Sequence, residues 1–307
     1  MFGRVGLLRL RLEVARVGDG GIVGSPDCER SDLLIDLGKT ALEILDKAKA
    51  AGVVRVFLGL ESINPQSLAS ANKRQNKITE YRKMLQAWHT SGASTWAGYI
   101  LGFPGDTRES ILRDMEIIKK ELPLDILELF MLTPLPGSED HKKMSAAGVV
   151  MDADLNKYDL THAVTAHPRM SKQEWEETYR LAWQTYYTPE HCERVMRRAA
   201  RMAGHPNRLL LPLAGFPHYV EHENVHPLEA GFVRKKFRRD RRPGLPLENP
   251  LTFYPRYWAH VVNSSLRFGW KFWRMKRLGD RGASVAHNPG SNMRLGSGLA
   301  DVRGMLN

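Results

Sequence analysis

Three short segments of this chain combine glycines with a carboxylate, a hydroxyl or a proline turn, a mix that can hold a flat, polar small molecule. They read Gly59-Leu60-Glu61-Ser62, then Gly98-Tyr99-Ile100-Leu101-Gly102-Phe103-Pro104-Gly105-Asp106, then Thr133-Pro134-Leu135-Pro136-Gly137-Ser138. Glu61 and Ser62 suit ribose hydroxyls, because a carboxylate accepts two such bonds and a serine donates or accepts. Glycines at 98, 102 and 105 carry no Cβ and would let a planar ligand approach the backbone. Each motif also has a plain structural reading. Residues 102–105 by themselves make an ordinary turn, and Glu61 could be a solvated residue ahead of a helix. Asp159, His162 and His167 could offer metal-ligating atoms, but histidines scattered in a loop are more commonly structural, and the expectation is no metal. His191 and Cys192 are adjacent on an expected helix, so they point about 100° apart and do not form a nucleophile–base pair.

The elements that must position these residues follow from periodicity and punctuation. Thr40-x-x-Glu43 reads as a capping box opening a helix over 41–51, stopped by Gly52. Residues 53–60 (VVRVFLGL) are dense in β-branched and apolar types and predict a strand buried on both faces. Asn64-Pro65 then starts a helical stretch, broken near 72–76, whose second part carries Ile78, Tyr81, Met84, Leu85 and Trp88 and ends at Gly92. The pattern repeats as a strand over 95–103 and a helix begun by Asp106-x-x-Glu109. It repeats again as a strand over 125–132, a proline turn, and a short helix from Ser138 to about Ala147. Strand, loop, helix in succession is the signature of parallel βα units, whose ligands gather at the carboxyl ends of the strands, where the three motifs lie. Three parallel strands leave both outer edges unpaired. Residues 1–40 must add strands, or the C-terminal region must dock there, or the remainder of the fold lies outside this chain.

The overall numbers exclude several classes. The chain has 307 residues, 26% charged and 42% hydrophobic, and only two cysteines, Cys28 and Cys192, so it is neither disulfide-stapled nor disordered. No run approaches the roughly 20 uncharged apolar residues that span a bilayer. A cytoplasmic protein is expected. The net charge of +11 is uneven: residues 191–281 carry +12, while the first 190 sum to −2. Ser171-x-x-Glu174 and Thr188-Pro189 each open a helix in this second region, and the last ordered element is expected over about 252–278. Residues 253–278 interleave aromatic with basic side chains, the composition of a helix lying on an anionic membrane surface. Packing of those aromatics on the body of the protein, with the charges solvated, is the bland reading and ranks first, the membrane surface ranks second, and nucleic acid ranks third because no recognition motif accompanies the charge. The expected organisation is 1–40 unassigned, 41–150 a βα portion, 151–281 helical and basic, and 282–307 a disordered tail.

Taken together, the segments FLGLESINPQSL, NKRQNK, GYILGFPGDTRESI and LTPLPGSEDH, in that order with βα spacing, resemble radical S-adenosylmethionine enzymes, especially the branch associated with cobalamin-binding domains. The resemblance runs from about residue 51 to 187. It implies an α/β fold, a partial parallel (β/α) barrel of about three βα units followed by a basic α-helical extension, with the other barrel half missing upstream. It further implies S-adenosylmethionine as cofactor and radical chemistry on an unknown organic substrate. By the same resemblance Glu61 and Ser62 match the ribose-contacting region, Gly98, Ile100, Gly102 and Pro104 match the strand near the adenine, and Lys73 and Gln75 match a polar stretch near the cofactor. The family's 4Fe-4S cluster requires a C-x3-C-x2-C loop, and this sequence has none. A truncated form, or a non-catalytic binding protein, is therefore expected.

Overall fold

The computed structural model describes residues 7–14, 31–36, 40–64, 78–201, 206–229, 235–242 and 244–286, with side chains described from residue 45 to 280 within these. In chain order the elements are β1 (Leu7–Val14), β2 (Ser31–Asp36), α1 (Thr40–Ala50), β3 (Val53–Glu61), α2 (Ile78–Thr90), β4 (Ser94–Leu101), α3 (Arg108–Glu121), β5 (Ile126–Met131) and α4 (Glu139–Ala146). Then come α5 (Lys172–Tyr186), α6 (Pro189–Arg201), α7 (Asn207–His218) and the long α8 (Pro250–Ala286). The described strands make one open sheet in the order β2-β1-β3-β4-β5. β3, β4 and β5 are parallel, as the repeated units predict, but β1 and β2 run antiparallel, so the sheet is mixed and not a continuation of a parallel barrel.

Alternation along the strands separates two faces. Val56, Leu58 and Leu60 of β3, Ala97, Tyr99 and Leu101 of β4, and Leu127, Leu129 and Met131 of β5 are buried in the core with Leu85, Trp88, Ile111, Met115 and Trp183 from the helices. Tyr99 reaches through this layer and donates to Asp114 Oδ2 at 2.8 Å. The opposite face carries charged and aromatic residues, half-buried along β3 and at Ile100 and Phe130, and buried at Trp96 and Glu128. The expectation that residues 53–60 form a strand buried on both faces is thus corrected: alternate residues of β3 are buried, and Arg55, Phe57, Gly59 and Glu61 between them are half-buried at a cavity.

Both edges of the parallel trio are covered, by different means. β1 pairs with β3 in antiparallel register, Leu10 opposite Leu58. On the other side the outward backbone groups of β5 are met by the C-terminal region. The Tyr187 hydroxyl donates to Leu127 O at 2.7 Å and accepts from Leu127 N at 3.1 Å, His226 Nε2 bonds Leu129 O at 3.1 Å, and Met131 N donates to Leu160 O at 3.0 Å. Capping an edge with side chains satisfies its polar groups without offering a template for another strand.

Several boundaries differ from expectation. α3 is capped by Thr107, whose side chain accepts from Ser110 N, while Asp106 turns back to its own loop. α7 was unforeseen because Pro212 and Pro217 lie inside it. Its last turn passes into a π-helical turn over Tyr219–Glu223, an adjustment to backbone donors that proline lacks. α8 continues to Ala286, past residue 282 where the tail was expected to begin. The expected helix start at Pro65 and the break near 72–76 fall outside the described residues.

At the amino-terminal ends of β4 and β5 a buried polar clamp ties four elements together. Asp125 Oδ2 accepts from Thr95 N at 2.9 Å and bonds His89 Nε2 at 3.0 Å, while Arg198 donates to Asp125 Oδ1 at 2.9 Å and to Leu124 O. Burial alone would raise this carboxyl, but the His89 bond, the Arg198 charge and the Thr95 amide outweigh it and hold it below the usual range. Asp125→Asn should cost about 3 kcal/mol in urea unfolding, since it leaves buried partners uncompensated. Because the folded value is depressed, the contribution is complete above the ordinary pKa of about 4 and is lost as pH falls through the folded value. The variant should lack this part of the acid dependence.

Candidate functional site

The open face of the sheet forms the floor of a cavity of about 530 Å³, within the range of small-molecule sites. Alternate residues of three strands line it: Arg55, Phe57, Gly59 and Glu61 from β3, Trp96, Gly98 and Ile100 from β4, and Glu128 and Phe130 from β5. Phe216 of α7 and Leu228 close one side. Their position follows from the edge cover described above, because His226, two residues from Leu228, is bonded to β5 and stacks on Phe130 at 4.8 Å between ring centroids. Phe216 meets Trp96 edge-on at 5.7 Å.

Glu61 stands at the carboxyl end of β3 with φ +57, a left-handed conformation that costs a non-glycine residue about 1 kcal/mol. The pairing of β3 with β4 slips at the same place, from Gly59 opposite Gly98 to Glu61 opposite Tyr99. The carboxylate folds back over Gly59, where Oε1 would stand 3.9 Å from a Cβ placed on that glycine. Burial, and then the charge of Glu61, push the nearby Tyr81 hydroxyl well above its ordinary value. Gly98 lies on the floor between two rings, since an added Cβ would meet Phe57 and Phe130 at 3.1 Å each.

The cavity also carries an acid–base pair of charges. The Arg55 guanidinium sits over the Trp96 ring, 4.2 Å from its centroid. Glu128 is 5% exposed, and burial pushes its carboxyl up to about 7, with the positive charge of Arg55 opposing. The site can therefore present a carboxyl close to neutrality among aromatic walls, beside a fixed cation.

The other residues singled out by sequence fall in several places. Ser62 is fully buried, hydrogen-bonded to the Tyr99 phenol and accepting from Asn64 N at 3.1 Å, so it faces the core and not the cavity. Gly102 has φ +98, and a Cβ there would stand 2.1 Å from the Trp175 ring, so its missing side chain makes room for an indole rather than for a ligand. Buried Asp106 accepts from both Gly102 N and Phe103 N at 2.9 Å and closes the loop internally. Pro104 is exposed and does not line the cavity. Lys73 and Gln75 lie outside the described residues. His162 Nδ1 bonds Asp159 at 2.8 Å, while His167 Nε2 bonds Phe103 O at 2.9 Å and its Nδ1 accepts from Arg169 N and Met170 N, so both histidines serve loop structure. Among the described residues no group of three or more His, Cys, Asp or Glu converges as a metal site would.

Arg55, Glu128 and Phe216 escaped the sequence reading. A signal for the first two was present: each is a charge inside an otherwise apolar strand run, with Arg55 in the same parity as Gly59 and Glu61. Phe216 carried no such signal, because its place depends on how α7 packs.

No family model matches the chain. It is 28% identical over 120 residues to the bacteriochlorophyllide d C-12(1)-methyltransferase of Chlorobaculum tepidum, covering 39% of this chain and 26% of that protein. To the bacteriochlorophyllide d C-8(2)-methyltransferase of the same organism it is 27% identical over 121 residues, covering 39% and 26% respectively. To the uncharacterized methyltransferase PH0819 of Pyrococcus horikoshii it is 25% identical over 165 residues, covering 50% and 35%. The chain is distantly similar to methyltransferases. It spans between 26% and 35% of the length of these curated relatives. Among solved structures, the archaeal Elp3 of Methanocaldococcus infernus with an N-terminal deletion matches at TM-score 0.32 and 17% identity, over 45% of this chain and 38% of that one.

Two substitutions test this geometry. Gly102→Ala should lower stability by about 3 kcal/mol in a thermal melt, because it combines an overpacked indole with a strained φ. A carboxyl raised in the folded state, like that of Glu128, reduces stability as pH rises from its ordinary value through the folded one. The full penalty, roughly 3 kcal/mol, is present by pH 8. Urea midpoints should therefore fall between pH 5 and pH 8 in the wild type and change less in Glu128→Gln.

Proposed function

We propose that the cavity binds S-adenosylmethionine and that the chain is a radical-SAM-like protein contributing this cofactor-binding half-site to chemistry on an organic substrate. The observation that carries the reading is the Glu61 carboxylate, held over Gly59 by a left-handed backbone at the carboxyl end of β3, at the edge of the cavity floor. In this reading Glu61 accepts hydrogen bonds from the ribose hydroxyls, and adenine lies against Gly98 and Ile100 between aromatic walls. The similarity to methyltransferases supports a methyl-donor cofactor. Ser62, Gly102 and Pro104 act from outside the cavity, by shaping the strand ends.

The residues do not fit a 4Fe-4S cluster. The whole chain has two cysteines, and burial pushes the Cys192 thiol up to about 12, which keeps it protonated and unable to ligate as a thiolate. Cys28 lies outside the described residues. The proposal accordingly covers binding and orientation of the cofactor, and no reductive step is assigned to these side chains. The cysteine count favours a second reading, a non-catalytic protein that binds the cofactor without turning it over.

Isothermal titration with S-adenosylmethionine and S-adenosylhomocysteine tests the site. Glu61→Gln should weaken binding at least about tenfold with an unchanged Tm, the scale of a hydrogen bond to a charged group. Equal affinity would remove Glu61 from the site, and no heat at millimolar ligand would overturn the proposal.

A further inference from the structure

α8 has two apolar faces, and the protein uses only one of them. Phe253, Ser264, Phe268 and Met275 are buried where the helix packs on α6 and α7. That docking is fastened by a polar network: Ser264 donates to Glu223 at 2.6 Å, His218 Nε2 bonds Ser264 at 2.9 Å, and His260 bonds Glu223 at 3.1 Å. Away from this seam Tyr254, Trp258, Val262, Leu266, Trp270 and Trp273 are all exposed, between 46% and 69%. At 100° per residue these six fall within an arc of about 160°, a stripe about 29 Å long. Single exposed apolar residues are normal, whereas a continuous stripe of this size marks a surface that meets something.

The charges beside the stripe select the partner. Between Pro250 and Gly279 the sequence has six Lys and Arg and no Asp or Glu. Arg256, Arg267 and Arg274 project within about 20° of one another along one border of the stripe, and Arg277 lies over the Trp273 ring at 4.8 Å. The basic segment Lys235–Arg242 is tied to the start of the same helix, because Glu248 pairs with both Arg241 and Arg256. That segment adds exposed Phe237. A second copy of this face would set cations against cations. Valine and leucine in the stripe have no role in stacking on bases, which disfavours nucleic acid, but they bury well among acyl chains. No described helix is long and apolar enough to cross a membrane, so α8 would lie flat.

We propose that α8 docks the protein on an anionic lipid surface, with Trp258, Trp270 and Trp273 in the headgroup boundary and the arginine border on lipid phosphates. The proposal stands independently of the cofactor reading. Co-sedimentation of the full chain with vesicles of phosphatidylcholine alone, or with 30% phosphatidylglycerol, provides the test. At 0.1 M salt, partitioning onto the anionic vesicles should exceed that onto neutral ones at least tenfold and fall several-fold at 0.5 M. Two variants separate the contributions. A triple Trp258→Ala, Trp270→Ala, Trp273→Ala variant should lose at least tenfold at either salt. Arg267→Glu with Arg274→Glu should lose binding chiefly at low salt. These positions are outside the docked seam, so both variants should keep the parent's Tm and its response to S-adenosylmethionine.

Absence of binding at low salt would overturn the proposal, as would binding indifferent to the tryptophans. Tighter, tryptophan-dependent binding of a single-stranded oligonucleotide would reassign the surface to nucleic acid. A dimer in sedimentation velocity that the triple variant abolishes would reassign it to a second copy of the chain.

Discussion

The unpaired backbone of three parallel strands is the constraint around which this molecule is arranged. A parallel trio needs partners on two edges, and the chain supplies them from segments that precede and follow the trio in sequence. An antiparallel hairpin hydrogen-bonds to β3. On β5 the donors and acceptors come from Tyr187, His226 and Leu160, so that side chains and a loop carbonyl replace a strand. The second solution has a larger consequence, because it draws the C-terminal helical region onto the sheet. With it come Phe216 and Leu228, which turn a strand face into a cavity.

The sheet divides stability from chemistry along two directions. Across its thickness, one set of alternate residues is apolar and packed under helices, while the other set carries Arg55, Glu61 and Glu128. Along the strands, the amino-terminal ends hold the His89–Asp125–Arg198 clamp, in which both Asp125 oxygens are bonded within the protein. The carboxyl end of β3 holds the strained Glu61. Strain is affordable at that end because the clamp and core are elsewhere, and a carboxylate so placed has its acceptor atoms directed over a glycine floor. Phe103-Pro104-Gly105 completes this end differently from the way its glycines suggest. Its carbonyls and amides are taken by Asp106, His167 and Arg169, and the space over Gly102 is taken by Trp175.

The long C-terminal helix repeats the theme of unequal faces. One side is held to α6 and α7 by apolar packing and the Ser264–Glu223 network, and the other presents aromatic and aliphatic side chains bordered by arginine. α8 packs on α7, and α7 contributes Phe216 to the wall of the cavity.

Local chemistry was legible in the sequence where it depends on neighbours along the chain. The three strands, the stops at Gly52 and Gly92 and the caps at Ser138 and Ser171 are all written in near-neighbour residue types. The uneven charge and the aromatic–basic mixture of α8 were equally plain. Tertiary structure decided the rest. It turned Ser62 toward Tyr99, gave the space over Gly102 to an indole and drew Phe216 against Trp96. It also raised Glu128 toward neutrality, because burial acts on a charge only once distant elements have excluded water around it. Sequence determines which residues can face one way, since the periods of strand and helix are local. Which of those faces becomes core, cavity or open surface depends on contacts between residues far apart in the chain.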